Sequence, residues 1–281
     1  MRSVDTNLIT ENIKMLLLNA SYNIGDKTLN ILKESCENEN NQVSKSVLQQ
    51  IIKNDEIAFN EQIPMCQDTG MAVIFLEIGQ DVNLTGKNLN DAVNEGVRQA
   101  YDEGYLRKSV VDDPLFDRKN TKDNTPAIIH TEIVSGDKIK ITVAPKGFGS
   151  ENMSAIKMLK PSDGVEGVKN FILDTVKNAG PNPCPPIVVG VGIGGTFEKC
   201  AYLAKKALSR EIKEHNKSEK YAELEKEMLD EINKLNIGPA GFGGNTTALS
   251  VHIEYFPTHI AGLPVAVNIC CHAYRHDSII F

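Results

Sequence analysis

Apolar residues over the first sixty positions recur at three- and four-residue spacing: Leu8, Ile9, Ile13, Leu16 and Leu17, then Leu29, Leu32 and Cys36, then Val43, Val47, Leu48, Ile51 and Ile52. That period belongs to one face of a helix, so amphipathic helices are predicted there. Gly25-Asp26 and the Asn-rich stretch 38–41 separate them. The pattern then changes. Residues 72–78, carrying most of the apolar run 71–76, read as a buried strand, Leu89, Val93, Val97 and Tyr101 mark another helix, and 127–134 and 138–143 read as strands. Helical spacing returns over 153–159 and at Val165, Val168, Ile172 and Val176, followed by the turn AGPNPCPP and the wholly apolar strand IVVGV. Residues 205–236, charged on one side with Tyr221, Leu224, Met228, Ile232 and Leu235 on the other, predict one long surface helix. Beyond the glycine-rich loop GPAGFGGNTT, strands are expected at 249–255 and 264–269.

The fold class is therefore mixed α/β: a helical segment over 1–60, then an α/β portion over 61–281 with a mixed sheet. A length of 281 residues allows one large domain or two ordinary ones. No internal repeat, low-complexity tract or Ser/Gly linker marks a boundary.

Charge narrows the partners. Thirty Lys and Arg against 37 Asp and Glu leave a net charge of −7, with the basic residues scattered, which disfavours nucleic acid and anionic membrane surfaces. Apolar residues at 41 % and charged residues at 24 % exclude a disordered chain. The apolar runs fall well short of the ~20 residues of a membrane helix, and the N-terminus lacks a signal-peptide core. A cytoplasmic protein is expected. Its six cysteines are too sparse and uneven for a secreted disulfide scaffold, so they are thiols, metal ligands or nucleophiles.

Gly190, Gly192 and Gly195 spell G-x-G-x-x-G after an apolar strand and before a helix, the local context of a dinucleotide-binding turn. The rest of that unit is missing. No second strand ending in an acidic residue follows about 20 positions on. Glu211 and Glu214 stand at that distance within KKALSREIKEH, where a solvated helix face is the simpler reading.

Three cysteines lie at predicted element ends: Cys66 in IPMCQDTG, Cys184 in PNPCPP and Cys271 in NICCHAYRH. Side chains at element ends can converge on a pocket. The wide separation of the three disfavours a zinc ribbon or finger. Cys36 and Cys200 fall on apolar helix faces, where free cysteine packs as a small hydrophobe.

The segments IPMCQDTGMAVIF, KGFGSENMSA, PNPCPPIVVGVGIGGTFEKC, GPAGFGGNTTALSVHIE, PTHIAGLPVAVNI and CCHAYRH resemble, in this order, those of the iron-sulfur (class I) fumarate hydratases, specifically the alpha subunit of the two-subunit form. Tartrate dehydratase alpha subunits share them. The resemblance spans the chain. It implies a 4Fe-4S cluster held by Cys66, Cys184 and Cys271, the last preferred over Cys270 because it directly precedes His-Ala-x-Arg-His. The fourth iron, without a protein thiolate, would act as Lewis acid on the substrate hydroxyl. Carried over by motif, Gln67 and Arg107 bind substrate carboxylate, Gly149 belongs to the substrate pocket, and Asp68 acts in proton transfer with His259 as its relay.

The resemblance also implies a reaction. The expected activity is reversible hydration of fumarate to L-malate, with L(+)-tartrate dehydration as the close alternative and an NAD-binding oxidoreductase as the distant one. A small C4 dicarboxylate is the expected substrate. The matching segments correspond to the N-terminal portion of the one-chain fumarases, so a separate beta subunit is expected to supply further arginines, a lysine and the threonine base, in an (αβ)2 assembly. An exposed cluster iron implies sensitivity to oxygen.

Overall fold

The computed structural model describes residues 2–281. In chain order its elements are β1 (Arg2–Asp5), α1 (Thr6–Tyr22), α2 (Asp26–Glu37), α3 (Gln42–Glu61), β2 (Met71–Gly79), β3 (Val82–Thr85), α4 (Leu89–Glu103), β4 (Ile128–Val134), β5 (Ile139–Lys146) and the single turn α5 (Phe148–Glu151). There follow β6 (Ala155–Leu159), α6 (Gly164–Ala179), β7 (Ile187–Gly194), α7 (Phe197–Ala207), α8 (Glu219–Lys234), β8 (Ala248–Phe256), β9 (Leu263–Cys270) and β10 (Asp277–Ile280). The mixed α/β class is as expected. The chain forms two compact units, neither continuous in sequence. The first takes the chain up to Ile24, Asp55–Phe148 and Arg275–Phe281; the second takes Gly25–Asn54 and Gly149–Tyr274.

In the first unit the sheet order is β10-β5-β2-β4, with β2 antiparallel to β5 and parallel to β4. The parallel pair is joined through α4, whose N-cap Asn88 accepts the Asn90 amide at 2.9 Å. Helix α1 starts in the same way, Asp5 accepting from the Asn7 amide at 2.8 Å. Such caps satisfy amides that the first helical turn leaves open. Alternate residues of β2 (Ile74, Leu76, Ile78) and β5 (Ile139, Ile141, Val143) share a core with Ile9, Ile13 and Leu17 of α1 and Val93 and Val97 of α4. Period-two burial on strands thus meets period-3.6 burial on helices.

The second unit repeats this plan in its own sheet, ordered β6-β9-β7-β8, with β7 antiparallel to β9 and parallel to β8. Every residue of β7 is buried. Val189, Val191 and Ile193 share a core with Ile172 of α6 and Met228 and Ile232 of α8. Gly190 and Gly192 face α7. A Cβ on Gly192 would lie 2.0 Å from the Cys200 carbonyl oxygen, and one on Gly190 2.3 Å from that of Ala204. The first two glycines of G-x-G-x-x-G are therefore a strand-to-helix packing seam inside β7. They form no phosphate-binding turn, and the geometry gives the dinucleotide reading no support.

Two expected helices are corrected. Residues 153–159 contain an edge strand, β6, whose Ala155 pairs with Val267 of β9. Sheet pairing there overrides the Met153, Ile156, Leu159 spacing. The long helix over 205–236 is two helices, α7 ending at Ala207 and α8 starting at Glu219. Between them Arg210 turns inward, donating to buried Glu225 at 2.8 Å and to the Glu214 carbonyl at 2.6 Å. Glu225 also accepts the amides of Ile253 and Asn216 at 2.8 and 2.9 Å. The loop is thus fastened to β8 by a buried charge with its hydrogen bonds satisfied.

Candidate functional site

The strand directions decide where the motif segments fall. In the first unit three segments stand at one end of the sheet: 66–70 entering β2, the 104–127 connection entering β4, and Gly147 leaving antiparallel β5. In the second unit the corresponding three are the Cys184 turn entering β7, GPAGFGG entering β8, and Cys271 leaving antiparallel β9.

Around Asp68 the first unit is tightly braced. Its Oδ1 accepts the Gly70 amide at 2.9 Å and its Oδ2 the Phe148 amide at 2.8 Å. Its own carbonyl accepts from Arg275 Nη2 at 2.7 Å. Tyr101, fully buried, donates to the Thr69 carbonyl at 2.6 Å and reaches that of Gly70 at 3.2 Å; Asn124 Nδ2 donates to the latter at 3.1 Å. Burial pushes the Tyr101 hydroxyl well above the usual phenol range, so it remains a donor. Gly70 is required by geometry, because its φ is +74° and a Cβ would lie 2.4 Å from the Lys146 carbonyl oxygen. The Arg107 carbonyl accepts from Thr69 Oγ1 at 3.0 Å, which ties the 104–127 connection to the Asp68 turn. Cys66 is half-buried, its thiol 3.5 Å from Gln67 Oε1; Gln67 and the Arg107 side chain are exposed.

In the second unit Cys184 is exposed, with φ +53°, and its carbonyl accepts the His272 amide at 3.3 Å. Cys184 and the residue after Cys271 are thereby joined across the sheet end. The glycine-rich loop meets them: the Ala240 amide donates to the Pro185 carbonyl at 2.8 Å. That loop is anchored in turn by buried Glu39, which accepts the Asn245 amide at 2.8 Å, and by Ser44 Oγ, which donates to the Gly243 carbonyl at 2.6 Å. Cys271 is half-buried, whereas Cys270, the last residue of β9, is buried opposite Val188. Gly149 is exposed, with open space where a Cβ would stand.

His259 is the exception. It lies in the exposed loop between β8 and β9, at the opposite end of the sheet from Cys184 and Cys271. The eight residues of β9 separate the two ends by about 20 Å. Within its own unit His259 therefore stands apart from Cys184 and Cys271. Its Nδ1 accepts the Ala261 amide at 3.2 Å.

Sequence reasoning left out Tyr101, Asn124 and Arg275. Arg275 stood in the quoted CCHAYRH stretch, but burial of its side chain has no local signature. The cysteines sort by exposure. Cys66, Cys184 and Cys271 are accessible at least in part; Cys36, Cys200 and Cys270 are buried, and burial raises the Cys200 thiol above its usual range. Among the described residues no three His, Cys, Asp or Glu side chains could hold a single metal ion. A cubane asks for something else, since each thiolate binds a different iron. Three accessible soft donors fit that chemistry.

The family model for fumarate hydratase (Fumerase) matches residues 10–280. A Methanocaldococcus jannaschii protein provisionally named L(+)-tartrate dehydratase subunit alpha is 46 % identical over 273 residues, covering 95 % of each chain. The L(+)-tartrate dehydratase subunit alpha of Escherichia coli K12 is 32 % identical over 278 residues, covering 98 % of this chain and 91 % of its own. No helix among the described residues is long and apolar enough to cross a membrane.

Proposed function

The chain belongs to the fumarate hydratase family, and from that premise we propose that it is the cluster-bearing alpha subunit of a hydro-lyase that interconverts fumarate and L-malate. The observation that carries this reading is the gathering of motif loops at one end of each sheet, with the accessible thiols Cys66, Cys184 and Cys271 on those loops. L(+)-tartrate dehydration is the second reading, favoured by the names of the relatives.

Cys66, Cys184 and Cys271 would hold a 4Fe-4S cluster; the half-buried position of Cys271 against buried Cys270 supports that choice of neighbour. When bound, the cluster supplies a Lewis-acidic iron with an open position. Asp68 would act in proton transfer, relaying to the base that the beta subunit supplies. Its two backbone N–H bonds fix the carboxylate before substrate arrives, so little reorganisation remains for the reaction step. Gln67, exposed beside Cys66, would donate to one substrate carboxylate, and Arg107 would clamp a carboxylate, stabilising the charge that develops as the proton leaves. Gly149 leaves room for substrate to approach the backbone. His259, at the other end of its own sheet from Cys184 and Cys271, would act as the relay that works with Asp68.

A beta subunit is the proposed partner, supplying the remaining cationic groups and the base. The test is to assemble the chain anaerobically with that partner and to assay fumarate, L-malate and L(+)-tartrate. Turnover of fumarate and malate is expected. Turnover of tartrate alone selects the second reading, and turnover of none overturns the assignment.

A further inference from the structure

We propose that Arg275 is an anion-recognition residue whose unmet N–H donors take one carboxylate of the dicarboxylate substrate beside Asp68; this rests on the hydro-lyase reading and adds a binding residue to it. Arg275 is 4 % exposed, so its charge sits inside the protein. A guanidinium does not deprotonate in proteins, so burial cannot neutralise it. Its Nη2 donates to the Asp68 carbonyl at 2.7 Å, while Nε and Nη1, which carry three of its five N–H bonds, are buried without an acceptor among the described residues.

The Asp68 carboxylate does not serve. The Asp68 oxygens accept the Gly70 and Phe148 amides, and neither accepts from Arg275 Nε or Nη1. A buried cation with open donors is strongly unfavourable unless an anion completes it. Bracing the Asp68 turn explains one donor and requires no charge; the remaining donors call for an anionic acceptor from outside the chain. A carboxylate matches a guanidinium in shape and charge. Gly147 lets the backbone pass close to both groups, since a Cβ there would stand 3.2 Å from Asp68 Oδ2 and 3.5 Å from Arg275 Nη2.

The test uses the anaerobic αβ complex in wild-type, R275Q and R275K forms. Calorimetric titration with succinate, an unreactive dicarboxylate, reads binding without turnover; iron per chain, Tm, kcat and KM are measured beside it. The expected result is a rise of at least tenfold in succinate Kd and substrate KM for R275Q, a smaller rise for R275K, and unchanged iron. An unchanged Kd with a fallen kcat would make Arg275 a brace alone and overturn the proposal, as would loss of iron at unchanged Kd. If R275Q does not fold, R275K decides: its Kd should rise several-fold, and an unchanged value refutes the proposal. A wild type that binds no succinate also refutes it. A wild type that binds succinate through Arg275 yet turns over no C4 dicarboxylate refutes the hydro-lyase reading instead.

Discussion

Replacing Tyr101 by Phe tests whether the bracing of the Asp68 turn has the energetic weight assigned to it. The change keeps the ring and removes one hydroxyl from a fully buried position. The Gly70 carbonyl keeps its bond from Asn124, but the Thr69 carbonyl loses its Tyr101 donor. One buried acceptor left open costs about 1–3 kcal/mol, and a unit of this size should lose roughly 3–10 °C in Tm. The pH dependence has a definite sign. Burial raises the Tyr101 pKa above its ordinary 10.0, so its contribution to stability is complete below pH 10 and is lost as pH rises toward the raised value. The stability gap between wild type and Y101F, measured by denaturant titration, should therefore be full at pH 7 and narrow above pH 10. Tyr22→Phe, whose hydroxyl reaches the Gly104 carbonyl at a longer 3.3 Å from a part-buried site, should cost less. Equal stability of Y101F and wild type at pH 7 would refute the reasoning.

Four further outcomes are expected. Cys66→Ser, Cys184→Ser and Cys271→Ser should each lose bound iron while the Cys36, Cys200 and Cys270 serine variants keep it, read by iron assay; retention in the Cys271 variant with loss in the Cys270 variant would reverse the choice between neighbours. Gly192→Ala should lower Tm strongly, since its Cβ meets the Cys200 carbonyl at 2.0 Å, and NAD titration should give no saturable signal in wild type or variant; a saturable signal would restore the dinucleotide reading. His259→Asn should lower kcat with bound iron unchanged if His259 works with Asp68 as its relay, read by steady-state assay of the αβ complex, and an unchanged kcat would remove His259 from the reaction. Air should abolish turnover and ferrous iron with reductant should restore it, followed by a coupled assay; indifference to oxygen would contradict an open cluster iron.

The central strands were legible because apolar runs such as 71–76 and 187–191 have no polar face to compete, and α4 and α6 because their periods are long and regular. The stretch 153–159 was not legible: three apolar residues at helical spacing fit a helix, while the partner strand β9 lies more than a hundred positions away. The break between α7 and α8 was hidden for a related reason, since the polar residues of the loop resemble a solvated helix face until Arg210 is seen to bind Glu225. Cysteine positions at element ends were readable from local pattern, and the shared sheet end of Cys184 and Cys271 follows from the antiparallel β9, which pattern alone does not reveal. The interleaving of the two units leaves no trace in composition. Arg275 became visible only when its burial and its unmet donors were known.

The most direct measurement of the central claim is the iron, acid-labile sulfide and zinc content of the anaerobically purified and reconstituted chain. About four iron and four sulfide per chain is the expected result, the composition of a cubane cluster. Zinc alone, or no iron after reconstitution, would contradict the cluster and return Cys66, Cys184 and Cys271 to structural roles.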